Sequence, residues 1–202
     1  MERFLVQVML AAALSAATAA RADLHRLVLD GQVHSNAGKR AGQLRVLCDP
    51  ANDGGAISVE LWVPQAATLK DFDYDDFEGP DAAAGNRALS HVSLTGAAGA
   101  TGITYPAAGW YSGEDDPNTF VFGISQLSHR KGQVAALLAA VDAKYTQLVW
   151  VQNGFKDRRE LRATFALDDA LVKQIHATVD VCLAPAKSPK RSRPNGMPKA
   201  AG

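Results

Sequence analysis

Apolar and polar side chains alternate without a break over residues 57–63. Ile57, Val59, Leu61 and Val63 fall on one side, and Ser58, Glu60 and Trp62 on the other. A period of two is that of a strand with one buried face. Similar patterning predicts strands over residues 24–33 and 43–48, around a polar turn at 35–40, and over 119–125, 147–152 and 161–167. The run Asp49-Pro50-Ala51-Asn52-Asp53-Gly54-Gly55 is a dense turn signal. Asn153-Gly154 is a tight-turn pair, with a longer loop through Arg159 as the alternative. Residues 79–118 are rich in Gly and Ala and predict loops around one short strand at 91–94.

Two segments change period. Val134, Leu137, Leu138, Val141 and Tyr145 share one helical face, and the opposite face is largely alanine. Leu171, Ile175, Val179 and Cys182 form a second stripe, flanked by Val172 and Leu183. Asp168 or Asp169 supplies an N-terminal cap, and Pro185 follows the end. Strands first, then helix, hairpin and helix, predict an α+β domain: a mainly antiparallel sheet with two α-helices packed on one face.

The first residues set the compartment. Arg3, an apolar run over residues 4–14 and small residues ending in Ala20-Arg21-Ala22 have the order of a secretory signal. The run is about eleven residues, short of the roughly 20 that span a bilayer. The organisation expected is a signal peptide at 1–22, one domain at 23–185 and a disordered basic tail at 186–202, with a periplasmic product. Export favours pairing of the only two cysteines, Cys48 and Cys182. Zinc is not suggested, because no CxxC and no nearby histidine pair accompanies them.

The net charge of zero hides an asymmetry. Lys187, Lys190, Arg191, Arg193 and Lys199 sit in the tail, while residues 23–186 carry 14 Lys and Arg against 20 Asp and Glu. An acidic body argues against a nucleic-acid surface, which needs clustered cations. No later segment is apolar enough to predict a membrane span.

Three clusters carry candidate chemistry. Asp71, Asp73, Asp75, Asp76 and Glu78 alternate with Phe72 and Tyr74. A DxDxD run suggests calcium, but the calcium-loop template wants Gly and Glu where Asp76 and Ala82 stand. The cluster then reads as an acidic edge strand or as a partner-binding patch. Trp110 and Tyr111, between Gly109 and the acidic turn Glu114-Asp115-Asp116, are either a recognition hot spot or a loop anchor. Lys156, Arg158, Arg159 and Arg162 make a basic group for an acidic partner or phosphate, or a solvated face.

Catalytic signatures are missing. Gly123-Ile124-Ser125-Gln126-Leu127 lacks the second glycine of a nucleophile elbow, and no HExxH, P-loop or GxGxxG occurs. The expectation is an exported, non-enzymatic binding protein without a cofactor, recognising another envelope protein as an inhibitor, immunity or accessory factor. Asp71, Asp73, Asp75, Asp76, Glu78, Trp110 and Tyr111 are its candidate contacts. The alternatives are an envelope hydrolase with paired carboxylates and a small-molecule or calcium carrier.

Overall fold

The computed structural model describes residues 24–51, 55–113, 116–127 and 132–183. The expected signal peptide, the basic tail, Glu114 and Asp115 lie outside the described residues. Nine strands form one sheet: β1 (His25–Ser35), β2 (Gly38–Asp49), β3 (Ala56–Val63), β4 (Ser90–Gly96), β5 (Gly99–Tyr105), β6 (Ala108–Tyr111), β7 (Phe120–Leu127), β8 (Tyr145–Asn153) and β9 (Glu160–Ala166). The order is β5-β4-β8-β9-β1-β2-β3-β7-β6, and every neighbouring pair is antiparallel. Among the described residues two α-helices complete the fold, α1 (Gln133–Ala139) and α2 (Asp169–Leu183).

The alternation read from the sequence becomes rows of buried side chains across the sheet. Leu29, Leu44, Leu61 and Phe122 stand opposite one another across β1, β2, β3 and β7, and all four are buried. Val92, Trp150, Ala163 and Val33 form a second row across β4, β8, β9 and β1. The fully buried Trp150 directs its indole N–H to the Gln152 side-chain oxygen at 3.3 Å, which also accepts the Ser90 hydroxyl at 2.5 Å. These buried polar groups are thus paired within the core, as burial requires.

The sheet is a curled half-barrel, not a flat layer. β1 pairs with β2 along its whole length but with β9 only at Gln32, Val33 and His34. At this narrow joint Gly31 faces Gly42. A Cβ on Gly31 would lie 2.4 Å from the Phe165 ring, and one on Gly42 would lie 2.4 Å from a Val33 methyl. The two missing side chains therefore let Phe165 and Val33 fill the crease. α1 touches β5 near one end of the strand order and β3 and β7 near the other, while α2 packs on β1, β2 and β3.

Asp168 caps α2, its carboxylate accepting the Leu171 amide at 2.7 Å. His176 reaches the Val141 carbonyl at 2.8 Å, so Nε2 carries the proton and ties α2 to the turn after α1. The Cys48–Cys182 disulfide forms as the sequence predicts. It joins the end of β2 to the last turn of α2 with a Cα–Cα distance of 6.0 Å, and both cysteines are buried.

Three expectations change, and one open alternative, the β8–β9 connection, is settled. α1 stops at Ala139 and Tyr145 begins β8, although Val134, Leu137, Leu138 and Val141 are buried as the stripe implied. The β8–β9 connection runs over residues 154–159, closed by the Gly154 amide on the Arg159 carbonyl at 2.7 Å. The Gly/Ala-rich region holds three strands, β4, β5 and β6, where one was expected. Residues 71–78 are a loop with a 3-10 turn at Asp75–Phe77, not an edge strand.

The disulfide closes a loop spanning 134 residues. Changing both cysteines to serine should lower the unfolding free energy by up to about 5 kcal/mol, the loop-entropy ceiling. Equilibrium denaturant unfolding checks this, and an unchanged midpoint would contradict the staple.

Candidate functional site

The loop from Ala66 to Ala84 is positioned by apolar residues at intervals of three. Ala66, Leu69 and Phe72 are buried, and the amides of Leu69 and Phe72 bond to the carbonyls of Ala66 and Leu69. That i to i+3 pattern belongs to 3-10 turns. Phe72, Tyr74 and Phe77 then pack on β7. Tyr74 lies 5.0 Å from the Phe120 ring, Phe77 lies 5.4 Å from that of Phe122, and Tyr111 of β6 meets Phe120 edge-on at 4.9 Å.

With its aromatics inward, the loop uses Asp71, Asp73 and Asp76 locally. Asp71 accepts the Ser35 hydroxyl at 2.8 Å and the Ala37 amide at 2.9 Å, clamping the β1–β2 turn. Lys156 of the β8–β9 loop bridges Asp76 at 2.6 Å and Asp73 at 3.4 Å. The hydrogen bonds it donates to Asp76 and then to Asp73 hold the Lys156 ammonium above its usual range. Asp76 is buried, and its second oxygen has no hydrogen-bond partner among the described residues. One member of the basic group, Lys156, thus meets an acidic segment of its own chain. Arg159 likewise pairs with Asp157. Asp75 and Glu78 remain exposed, with no ion-pair partner among the described residues.

The two candidate segments are neighbours. Glu78 bridges Gly109, and the Gly79 amide bonds to the Gly109 carbonyl at 2.9 Å. Burial first, then the charges of Asp75, Glu78 and Asp73, push the Tyr111 phenol upward. Yet Trp110 and Tyr111 cannot form one hot spot, because consecutive strand residues face opposite ways. Tyr111 packs on Phe120 inside the curl, and Trp110 stands on the convex side, 36% exposed.

On that convex side Trp110 joins residues the sequence reading did not single out as a site. Trp62, Val121 and Trp110 are directly opposite one another across β3, β7 and β6. The Trp110 ring lies over Gly123, where a Cβ would come within 2.6 Å of it. The Arg45 guanidinium lies 3.3 Å from the Trp62 ring centre, and the Trp62 indole N–H bonds to Glu60 at 2.9 Å. Arg45 also donates to Gln43, and Gln43 to Asp30, at 3.3 and 3.1 Å.

Arg45 and Trp62 separate two clefts. One, of about 490 Å³, is lined among others by Asp30, Gln43, Pro64 and Asp116. The other, of about 310 Å³, is lined by Leu24, Leu47, Trp110 and Ser112. Leu24 is 57% exposed. One signal in the sequence pointed here: Trp62 falls on the polar side of an otherwise regular strand. Arg45, Glu60, Gln43 and Asp30 gave none, being ordinary polar residues of outward register.

This arrangement stacks aromatic, guanidinium and amide groups held by one another, which suits recognition. Of the carboxylates singled out in the sequence, Asp71, Asp73 and Asp76 are engaged as above, and Asp116, in the lining of the larger cleft, accepts the Asn118 amide and the Thr119 hydroxyl. Among the described residues no group of three or more His, Cys, Asp or Glu is placed to hold a metal ion. Among them too, no helix is long and apolar enough to cross a membrane. Comparison with protein families, curated proteins and solved structures finds no match for this chain.

Two predictions follow from the loop. Lys156→Met should lower the thermal midpoint by leaving Asp76 buried without its cation, and Asp76→Asn added to it should restore part of the loss. If the double variant is less stable than the single one, the pair is not coupled in this sense. Tyr74 is buried, its hydroxyl has no partner among the described residues, and desolvation pushes its ionisation well above the ordinary phenol value of ~10. A raised folded-state value contributes stability that is complete below the unfolded value and is lost as pH climbs above it. Tyr74→Phe should be neutral or stabilising by up to about 1 kcal/mol at pH 7. It should also blunt the alkaline loss of stability above pH ~10, read by denaturant midpoints across pH.

Proposed function

We propose that this protein is an exported, non-enzymatic binding module that recognises another protein of the cell envelope. The observation that carries the reading is the convex face, where Trp62, Trp110 and Arg45 stand together between two clefts. Trp and Arg are the residue types that most often dominate binding energy at protein interfaces. Here their positions are set in advance by strand register and by the Arg45–Trp62–Glu60 contacts. A partner would meet a surface already ordered, which lowers the entropic cost of association.

The structure moves the emphasis within the candidate contacts. Asp71, Asp73 and Asp76 serve the loop's own architecture, and Asp75 and Glu78 are left as its outward charges. Tyr111 belongs to the core of the β6–β7 edge. Trp110 remains the contact on the proposed face. Export rests on the pattern of residues 1–22, and a disulfide-stapled fold is in keeping with an oxidising compartment.

Affinity capture from envelope extract tests the reading, using the wild-type protein, Trp110→Ala and Asp75→Asn/Glu78→Gln side by side. One stoichiometric partner should be retained by the wild type and by the carboxylate variant, and lost or reduced at least tenfold by Trp110→Ala. A partner lost only from the carboxylate variant would move the site to the acidic loop. No reproducible partner would overturn the reading.

A further inference from the structure

We infer that β5 is the edge through which two copies of this chain pair, strand against strand, about a two-fold axis at Gly102. The inference is independent of the convex-face reading and concerns the opposite end of the sheet.

The two edges of the sheet are treated differently. At one, β6 is four residues long and is covered by the loop, through the Glu78–Gly109 bridge and the Gly79 amide. At the other, β5 runs Gly99-Ala100-Thr101-Gly102-Ile103-Thr104-Tyr105, largely exposed, with no charge and no proline. Among the described residues its backbone pairs with β4 alone. Edge strands are normally guarded by lysine, proline, a bulge or a covering loop, because a bare edge templates further pairing. α1 packs beside β5 and Pro106 follows it, but along the strand itself the outward backbone carries none of these guards, in keeping with an edge that is covered in the working state.

The register says what covers it. Two residues connect Gly96 to Gly99, so that pair closes the hairpin with hydrogen bonds. Hydrogen-bonded and open pairs then alternate. Ser93 and Gly102 form an open pair, in keeping with the 2.8 Å that a Gly102 Cβ would leave to the Ser93 Cβ. The amides and carbonyls of Ala100, Gly102 and Thr104 therefore point away from β4, to the free edge.

A second β5, antiparallel and centred on Gly102, places Gly102 against its own copy and Ala100 against Thr104. Every outward amide and carbonyl of the three residues then finds a partner. On the concave side Thr101 would face Ile103 of the second copy. These side chains lie over the groove of about 440 Å³ between β5 and α1, whose lining from Thr101 to Ala140 carries no charge. Ala136 and Ala140, from the alanine face of α1, line the same groove. The edge is thus complementary to itself in hydrogen bonding, in register and in lack of charge.

Sedimentation velocity of the mature chain, from about 1 μM to about 1 mM, tests this. A single strand pair falls at the small end of interface sizes, below about 1,200 Å², so the expected dissociation constant is micromolar. Ala100 and Thr104 are both exposed and share the convex side. Ala100→Lys/Thr104→Lys sets lysines opposite each other across the axis and should leave a monomer at every concentration, with no more loss of thermal midpoint at the dilute end than the lost Thr104–His91 hydrogen bond brings. Ala100→Glu/Thr104→Lys sets opposite charges across the same axis and should restore the dimer. A wild type that stays monomeric at the highest concentration overturns the proposal, leaving the edge for a strand of another protein. A dimer indifferent to the lysine pair overturns it as well.

Discussion

A wide antiparallel sheet with one apolar face must cover that face, and in this protein everything else follows from how it does so. The sheet curls around its own side chains at the joint between β9 and β1, where only three residue pairs hold the two halves together. The curl requires room at the crease, which Gly31 and Gly42 provide by having no side chain there. α1, α2 and the loop carrying Phe72, Tyr74 and Phe77 then fill what remains. The disulfide fixes one of these covers covalently.

The proposed binding surface is a by-product of the same geometry. Because the apolar residues of β2, β3, β7 and β6 are drawn inward, their alternates are presented outward in fixed register. Most of those alternates are ordinary polar groups. Trp62 and Trp110 are not, and the absence of a side chain at Gly123 lets the Trp110 ring lie against the sheet. On the inner side, the aromatic content of the loop is spent on packing, and Asp71, Asp73 and Asp76 are held by Ser35, Ala37 and Lys156.

What the sequence made legible were elements governed by one strong local period. β3 alternates cleanly, α2 carries a regular stripe with an aspartate before it, and the two cysteines had only each other. The short α1 was recognised, but its stripe continued through Tyr145 because the same apolar residue serves equally as the start of β8. β5 was invisible: Gly, Ala and Thr have no contrast between faces, and its pairing is dictated by β4. The segment from Asp71 to Glu78 misled because Phe72 and Tyr74 mimic alternation. The wider spacing of Ala66, Leu69 and Phe72 held the correct reading. That Asp71 clamps a turn 34 residues away is a tertiary fact with no local signature.

The β1–β2 hairpin is held at both ends. Cys48 anchors its open end to α2, and Asp71 anchors its turn through Ser35 and Ala37. Between these anchors lies the Gly31–Gly42 pair, the one place along the hairpin where facing residues both lack side chains. Phe165 and Val33 occupy the space that side chains at Gly31 and Gly42 would need, so the crease is packed as tightly as the rest of the core. The curvature of the half-barrel is therefore written into two positions at which any residue larger than glycine would have to push the core apart.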